Sequence, residues 1–90
     1  MTGDADATLV RELWAALARR DFEAVGSFMA DDGHYVDVPV KDVEPGATGP
    51  AQTAARLRLG LGPLHAYDLH DGPIVASGGY VVTEHAETWT

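Results

Sequence analysis

Apolar residues recur at helical spacing in the first third of the chain. Over Leu9 to Ala18 they form one face, made of Leu9, Val10, Leu13, Trp14, Leu17 and Ala18. Asp4 and Asp6 lie before this stretch and Arg19-Arg20 follow it, so the charges at both ends favour the helix dipole. The pattern predicts an amphipathic helix.

A second, shorter helix is predicted directly after the first. Asp21 can accept backbone hydrogen bonds as its N-cap. Four apolar residues then share one stripe: Phe22, Val25, Phe28 and Met29. The polar turn Asp31-Asp32-Gly33 ends this helix. Two helices therefore precede any strand.

Alternation replaces helical spacing at His34. On a strand from His34 to Val38, Tyr35 and Asp37 lie on one face, opposite His34, Val36 and Val38. Pro39 cannot donate to a strand ladder, so the strand ends there. Val40 to Thr48 has no periodicity and contains turn-forming residues, which predicts an exposed loop.

A third helix is predicted to begin at Gly49-Pro50, with proline at its first position. It runs through Arg58 and ends at Gly60 and Gly62-Pro63. Its alanine content suits close packing against a sheet.

The rest of the chain has the pattern of β structure. Leu64 to Val75 is typical of a strand that is broken or bulged at His70-Asp71-Gly72-Pro73. Ser77-Gly78-Gly79 predicts a hairpin turn into a last strand, Tyr80 to Thr90. Helices followed by a curved, mainly antiparallel sheet give an α+β fold. Because the last strand reaches Thr90 without a turn or polar tail, we expect either an incomplete sheet or a partner that covers it.

Composition narrows the size of the fold and the classes of partner. Ninety residues, 46% hydrophobic and 22% charged, predict one domain over 1–90. Fourteen acidic and six basic residues give a net charge of -8, which disfavours nucleic acid and anionic membrane surfaces. The chain has no cysteine, no secretory-type start and no apolar segment of membrane-spanning length, so we expect a cytoplasmic protein.

Two pairs of side chains suggest chemistry. Tyr35 and Asp37 leave the same strand face about 7 Å apart, so a phenol and a carboxylate can hold one water between a donor and an acceptor. The structural alternative is a rim aromatic beside a solvated strand end. His85 and Glu87 share a face of the last strand with Val81, Thr83 and Trp89. That face is typical of a cavity wall, and the alternative is an exposed polar edge.

Burial on such a face predicts a changed charge state for Glu87. Partial desolvation raises the pKa of a carboxyl towards a range where it can donate a proton, whereas a protonated His85 opposes that shift. Glu84 points to the other face and is the weaker candidate.

Metal and cofactor chemistry find little support in the sequence. His34, His65 and His70 occur without a second ligand at a diagnostic spacing, so no metal site is predicted. The glycine pairs are typical of turns and not of phosphate loops, so no cofactor is expected. Ser27 and Ser77 lack the setting of a nucleophilic serine.

Three stretches together resemble the nuclear-transport-factor-2-like superfamily and, within it, the limonene-1,2-epoxide hydrolase family. They are the helical opening from Val10 to Val25, the run Tyr35-Val36-Asp37-Val38-Pro39, and the run Thr83-Glu84-His85-Ala86-Glu87. The second resembles the family's Tyr-x-Asn-x-Pro and the third its Thr-Glu-Arg-x-Asp. The resemblance implies a cone of N-terminal helices packed on the sheet, truncated at the C-terminal end.

The resemblance also implies a reaction and roles for four residues. In that family, water opens an epoxide in one step and gives a diol. By position, Tyr35 and Asp37 hold the water, His85 replaces a bridging arginine, and Glu87 is the acid. The family's base aspartate lies on a later strand, so the catalytic set is expected to be incomplete unless that base is supplied.

Three functional hypotheses remain open at this point. The first is an epoxide hydrolase acting on a small hydrophobic substrate, in a homodimer formed through the exposed sheet. The second is a proton-transfer enzyme of the ketosteroid isomerase or polyketide cyclase type, with Tyr35 as oxyanion donor. The third is a non-catalytic module for small-molecule binding or dimerisation. Fold alone does not decide among them.

Overall fold

Within residues 2–37 and 46–90, which the computed structural model describes, three helices and six short strands follow one another. The elements are α1 (Thr2–Ala18), α2 (Phe22–Ser27), β1 (His34–Tyr35), β2 (Ala47–Thr48), α3 (Gly49–Leu61), β3 (Tyr67–His70), β4 (Ile74–Ser77), β5 (Tyr80–Thr83) and β6 (Ala86–Trp89). The helices pack against small antiparallel sheets, which confirms the α+β class. The cone shape stays a prediction.

The first two helices form where the apolar periodicity predicts them. α1 begins at Thr2, earlier than the apolar face requires, and ends at Ala18 as predicted. Asp21 is the N-cap of α2, and its Oδ1 accepts a hydrogen bond from the backbone N–H of Ala24 at 3.2 Å. α2 ends at Ser27, so the last part of the predicted stripe lies beyond the helix. None of the helices in the described ranges is long and apolar enough to cross a membrane.

Arg20 links the first helix to the end of the third. Its backbone has a positive φ of 56°, and its guanidinium donates to the carbonyl oxygens of Leu61 at 3.3 Å and Leu64 at 2.7 Å. The arginine therefore satisfies carbonyls at the C-terminal end of α3, where a helix leaves acceptors without internal partners. It contributes to tertiary packing as well as to the charge balance of α1.

The segment before α3 differs from the predicted exposed loop. Ala47 and Thr48 form β2, which pairs with β1 in antiparallel register, His34 with Thr48 and Tyr35 with Ala47. Ala47 is only 5% exposed, so the prediction of exposure is wrong for this residue. The predicted strand positions Val38 and Pro39 and the loop from Val40 to Pro45 lie outside the described residues.

Residues 65–90 form one long β-hairpin that is bent near its middle. β4 pairs with β5 across the turn at Gly78 and Gly79, whose φ angles are 59° and 82°. β3 pairs with β6 further from the turn. Between these ladders, residues 71–73 lie opposite residues 84–85, so the first strand carries one extra residue. The predicted bulge and turn are both confirmed.

The core lies where the three helices meet the inner face of this hairpin. Its fully buried members are Ala16, Leu17, Phe22, Val25, Ala54, Leu61 and Tyr67. Within this core, α2 and α3 lie in close contact. A Cβ built on Gly26 of α2 would lie 2.5 Å from the carbonyl oxygen of Pro50 at the start of α3.

Gly26→Ala tests this close approach of the two helices. The added methyl overlaps a backbone oxygen, so α2 must move away from α3, and we expect a loss of about 1–3 kcal/mol in the free energy of unfolding. Gly60→Ala is the matched control, because its Cβ meets no atom within 4 Å. In a helix, that change should stabilise by up to about 1 kcal/mol. Denaturant unfolding measures both, and equal stabilities for the two variants would contradict the packing described.

Candidate functional site

A cavity of about 450 Å³ opens between the three helices, β1 and the second strand of the hairpin. Most of its wall is apolar, formed by Leu13, Trp14, Leu17, Val25, Met29, Leu57, Leu61 and Trp89. The polar side chains on its wall are those of Tyr35, Asp37, Thr53, Arg56, His85 and Glu87. The volume and the few polar groups are typical of a site for a small organic molecule. All four site residues predicted from sequence therefore lie on one cavity wall.

Tyr35 of β1 and Asp37, two residues further along the chain, both line this cavity. β1 itself ends at Tyr35, earlier than the strand predicted to Val38. The two residues leave the chain on the same side, as the alternation predicts, and both are half-buried. The Tyr35 hydroxyl donates a hydrogen bond to Oδ1 of Asp37 at 2.6 Å. Arg56 of α3 donates to the other oxygen, Oδ2, at 3.2 Å and forms an ion pair with it. The phenol, the carboxylate and the guanidinium therefore form one cluster.

This geometry changes the role expected for the tyrosine. The sequence hypothesis gave Tyr35 a donor for water, but the structure uses that donor on Asp37. Burial raises the pKa of Tyr35, and the hydrogen bond to Asp37 raises that pKa further, so the phenol stays protonated near neutral pH. A water molecule at this cluster would donate its hydrogens to the remaining lone pairs of Asp37 and Tyr35.

β6 and the residue before it bring a second cluster to the cavity wall. His85 Nε2 and Glu87 Oε2 are 2.8 Å apart, and the indole N–H of Trp89 donates to Glu87 Oε1 at 2.8 Å. The side chains of His85 and Glu87 are 18% and 24% exposed, although the strand backbone faces solvent. The His85 ring lies edge-on to Trp14, with 4.7 Å between the ring centroids. The alternative of a fully wet polar edge does not fit this burial.

The charge state of Glu87 differs from the expected one. Burial by itself would raise the pKa of this carboxyl, but the hydrogen bonds from His85 and Trp89 outweigh burial and hold the pKa below its ordinary value of 4.5. Glu87 is therefore a carboxylate near neutral pH. This lowered pKa argues against the expected role of Glu87 as the acid, because a carboxylate has no proton to donate; the role itself stays a prediction. Glu84 is exposed, as predicted.

Several residues of the site were not found by sequence reasoning. Arg56 lies about one turn from Thr53 and from Gly60 on α3, and its place on the same helix face as these residues is the signal that could have found it. Trp14 was assigned only to the apolar face of α1. Tyr67, next to Glu87, gave no local signal because its role depends on strand pairing.

Three buried polar atoms have no hydrogen-bond partner within the described ranges. They are Nε1 of Trp14, Oγ1 of Thr53 and the hydroxyl oxygen of Tyr67, and the first two belong to residues that line the cavity. Buried polar groups are nearly always paired in folded proteins, so we expect a water or a ligand to meet the two at the cavity wall. In the part of the chain that the structure describes, no three His, Asp or Glu side chains are grouped as a metal site.

Comparisons of the chain with protein families, with curated proteins and with solved structures find no match. The resemblance to the limonene-1,2-epoxide hydrolase family therefore stays a prediction. The cavity and its two clusters carry the functional argument.

Glu87→Gln tests the charge state of this carboxyl through protein stability. A carboxyl whose pKa is lower in the folded than in the unfolded state stabilises the fold above the unfolded value, and this stabilisation is lost as the pH falls through the folded pKa. We expect the variant to be less stable by about 1–2 kcal/mol at pH 7, as for a hydrogen bond to a charged group. The difference should shrink as the pH drops below the ordinary value of 4.5.

Glu84→Gln is the matched control for that experiment, because Glu84 is exposed on the opposite face of the same strand region. Denaturant unfolding across the acid range measures the wild type and both variants. A stability difference between Glu87→Gln and the wild type that is independent of pH would contradict the lowered pKa.

Proposed function

We propose that this protein adds water to a small hydrophobic epoxide and releases a diol. The observation that carries the proposal is one apolar cavity that holds two charged clusters, Tyr35-Asp37-Arg56 and His85-Glu87-Trp89. An epoxide is uncharged, which suits the apolar wall, and its hydration needs one proton acceptor and one proton donor. The two clusters supply these two functions.

Asp37 is the proposed proton acceptor. A water that donates a hydrogen to Asp37 directs a lone pair of its oxygen towards the substrate carbon. As the new carbon–oxygen bond forms, the water proton passes to the carboxylate. Tyr35 and Arg56 hold Asp37 from its two oxygens, so the acceptor keeps its orientation during attack.

His85, in its protonated form, is the proposed proton donor. When the carbon–oxygen bond of the ring breaks, the imidazolium gives its proton to the ring oxygen, which becomes the second hydroxyl of the diol. Glu87 orients the imidazole and stabilises its positive charge through the 2.8 Å contact. The proton on Asp37 then returns to His85 through solvent, so that the sum of the steps is epoxide plus water giving diol.

These roles depart from those that the family resemblance implies. In the limonene-1,2-epoxide hydrolase family, the acid is the aspartate that corresponds to Glu87 here, and the base is an aspartate on a later strand. The lowered pKa of Glu87 supports a shift of the acid role to His85, and the position of Asp37 supports its use as the base. Under this proposal the described residues contain a complete acid and base pair.

A second candidate is proton transfer beside a carbonyl group. It is favoured by the ionised state of Glu87, because a carboxylate on an apolar wall can accept an α-proton from a ketone. The tyrosine donor that this reaction would use is committed to Asp37, so we rank proton transfer second.

The homodimer also stays a proposal. Three large hydrophobic residues on the outer side of the hairpin are exposed and could form its interface: Val75, Tyr80 and Val82.

Product analysis separates these candidates. Incubation with cyclohexene oxide in water enriched in heavy oxygen should give a diol with the label in one hydroxyl, at a rate above that of buffer alone. Exchange of the α-hydrogens of cyclohexanone without diol formation would favour proton transfer. If either compound raises the melting temperature but is not turned over, the protein is a binding module, and the hydrolase proposal is contradicted.

Removal of the donor gives the strongest expected effect on rate. His85→Gln keeps a polar side chain but has no transferable proton, so kcat should fall by about 10²–10⁴-fold. His70→Gln is the control, because His70 lies on the outer face of the hairpin and bonds Thr88 at 2.9 Å. Wild-type diol formation in the His85 variant would remove it from the mechanism.

Tyr35→Phe tests the positioning of the base. The change removes only the hydroxyl that holds Asp37, so we expect a loss of transition-state stabilisation of about 1–3 kcal/mol. Steady-state kinetics with cyclohexene oxide measures this loss. Tyr80→Phe, at an exposed turn position, should keep the wild-type rate.

A further inference from the structure

Tyr67 is a buried phenol that the proposed reaction does not yet use. The residue is 7% exposed and lies on β3 directly opposite Trp89 of β6. Leu69, two residues further along β3, is opposite Glu87. Since side chains two apart share a strand face, Tyr67 and Glu87 are diagonal neighbours on the inner face of the hairpin.

The hydroxyl of Tyr67 is buried without a hydrogen-bond partner among the described residues. Such a group costs stability, because folding removes its bonds to water and returns none. A buried polar group without a partner is rare in a folded protein and calls for an explanation. The charge with the largest effect on the Tyr67 hydroxyl is the carboxylate of Glu87.

The two groups affect each other's ionisation. Burial raises the pKa of Tyr67, and the negative charge of Glu87 raises that pKa further, so the phenol keeps its proton and stays a donor. In return the hydroxyl is one of the donors that lower the pKa of Glu87. Their diagonal positions on β3 and β6 are consistent with this interaction, although the hydroxyl does not meet the distance and angle of a hydrogen bond to any described residue.

Glu87 has room for another donor. Its oxygens accept from His85 and Trp89, and a carboxylate has about four acceptor positions. When His85 gives its proton to the substrate oxygen, the ion pair with Glu87 becomes an interaction with a neutral imidazole. A negative charge on an apolar wall is then less well compensated, and a nearby donor would stabilise it.

We propose that Tyr67 is a positioning residue that acts through Glu87: its hydroxyl completes a hydrogen bond to the carboxylate as His85 loses its proton. The role in turnover rests on the proposed epoxide hydration, whereas the contact between Tyr67 and Glu87 does not. No proton leaves Tyr67. The N–H bond of His85 breaks and an O–H bond forms on the product. The Tyr67 hydroxyl keeps its proton and gains only a hydrogen bond to Glu87.

Tyr67→Phe is the test, because it removes one oxygen and keeps the ring in the core. Loss of the hydroxyl removes the cost of burying it, whereas a higher pKa of Glu87 removes part of the stabilisation that the ionised carboxylate gives. The variant should therefore gain less stability than the wild type as the pH rises through the pKa of Glu87. The pKa of Glu87, followed by NMR of carboxyl-labelled glutamate, should rise. With cyclohexene oxide, kcat should fall by about 5- to 50-fold while KM changes little, as expected for an interaction made in the transition state. Tyr80→Phe is the matched control at an exposed position.

The pH profile gives a readout that a purely structural role would not change. Titratable or charged groups reach the surroundings of Glu87 from three elements. They are His85 and Tyr67 from the hairpin, Tyr35 and Asp37 from the β1 segment, and Arg56 from α3. The cavity residues of α1 carry no charge. If Glu87 must be ionised for turnover, kcat falls as the pH drops through its pKa. A higher pKa in Tyr67→Phe moves this fall to higher pH.

Two outcomes would overturn the inference. One is an unchanged pKa of Glu87 in Tyr67→Phe, which would mean that the two groups are not coupled. The other is a raised pKa of Glu87 together with wild-type kcat and an unshifted acid limb, which would mean that the coupling plays no part in turnover. If the wild type itself forms no diol, the hydration proposal fails, and the NMR titration still decides whether Tyr67 supports Glu87.

Discussion

The extra residue in the first strand of the hairpin is the constraint on which the site depends. The single last strand predicted from Tyr80 to Thr90 is divided at residues 84–85, but its inner residues are odd-numbered on both sides of this break, and the cavity residues Glu87 and Trp89 are among them. On the first strand, the inner residues are odd-numbered in β3 and even-numbered in β4, and the bulge at residues 71–73 makes this change possible. Without the bulge, the inner side chains of the first strand would point to the outer face in one of the two ladders. Gly72 permits the bend, because a Cβ there would overlap the carbonyl oxygen of Glu84.

The bent hairpin and the helices then enclose charge within an apolar wall. Each carboxylate of the cavity is held by two donors, Asp37 by Tyr35 and Arg56, and Glu87 by groups of its own strand. A carboxylate on an apolar wall is tolerated when both of its oxygens are satisfied, and the donors at Glu87 keep this carboxyl ionised. The Arg56–Asp37 pair has one half-exposed partner, so it orients the Asp37 carboxylate more than it stabilises the fold.

The part of this arrangement that depends on local periodicity was predictable from sequence. Alternation alone placed His85 and Glu87 on one face, and the glycine turn and the His70–Pro73 break marked the hairpin and its bulge. The contact between Arg56 and Asp37 was not predictable, because it depends on how α3 lies over β1. The charge state of Glu87 was also not predictable, since it depends on hydrogen bonds from His85 and Trp89, both at 2.8 Å, that outweigh burial. The two-residue pairing of β2 is too short to show periodicity.

The two clusters line a single apolar cavity, and the proposed reaction requires both of them to contact the same molecule. Titration of the labelled protein with cyclohexanol, a neutral analogue of the proposed product, tests it directly by NMR. The indole N–H signals of Trp14 and Trp89 and the ring signals of Tyr35 and His85 all report on the cavity wall. The account predicts that these signals shift together and fit one dissociation constant. Shifts confined to one cluster, or different dissociation constants for the two, would contradict it.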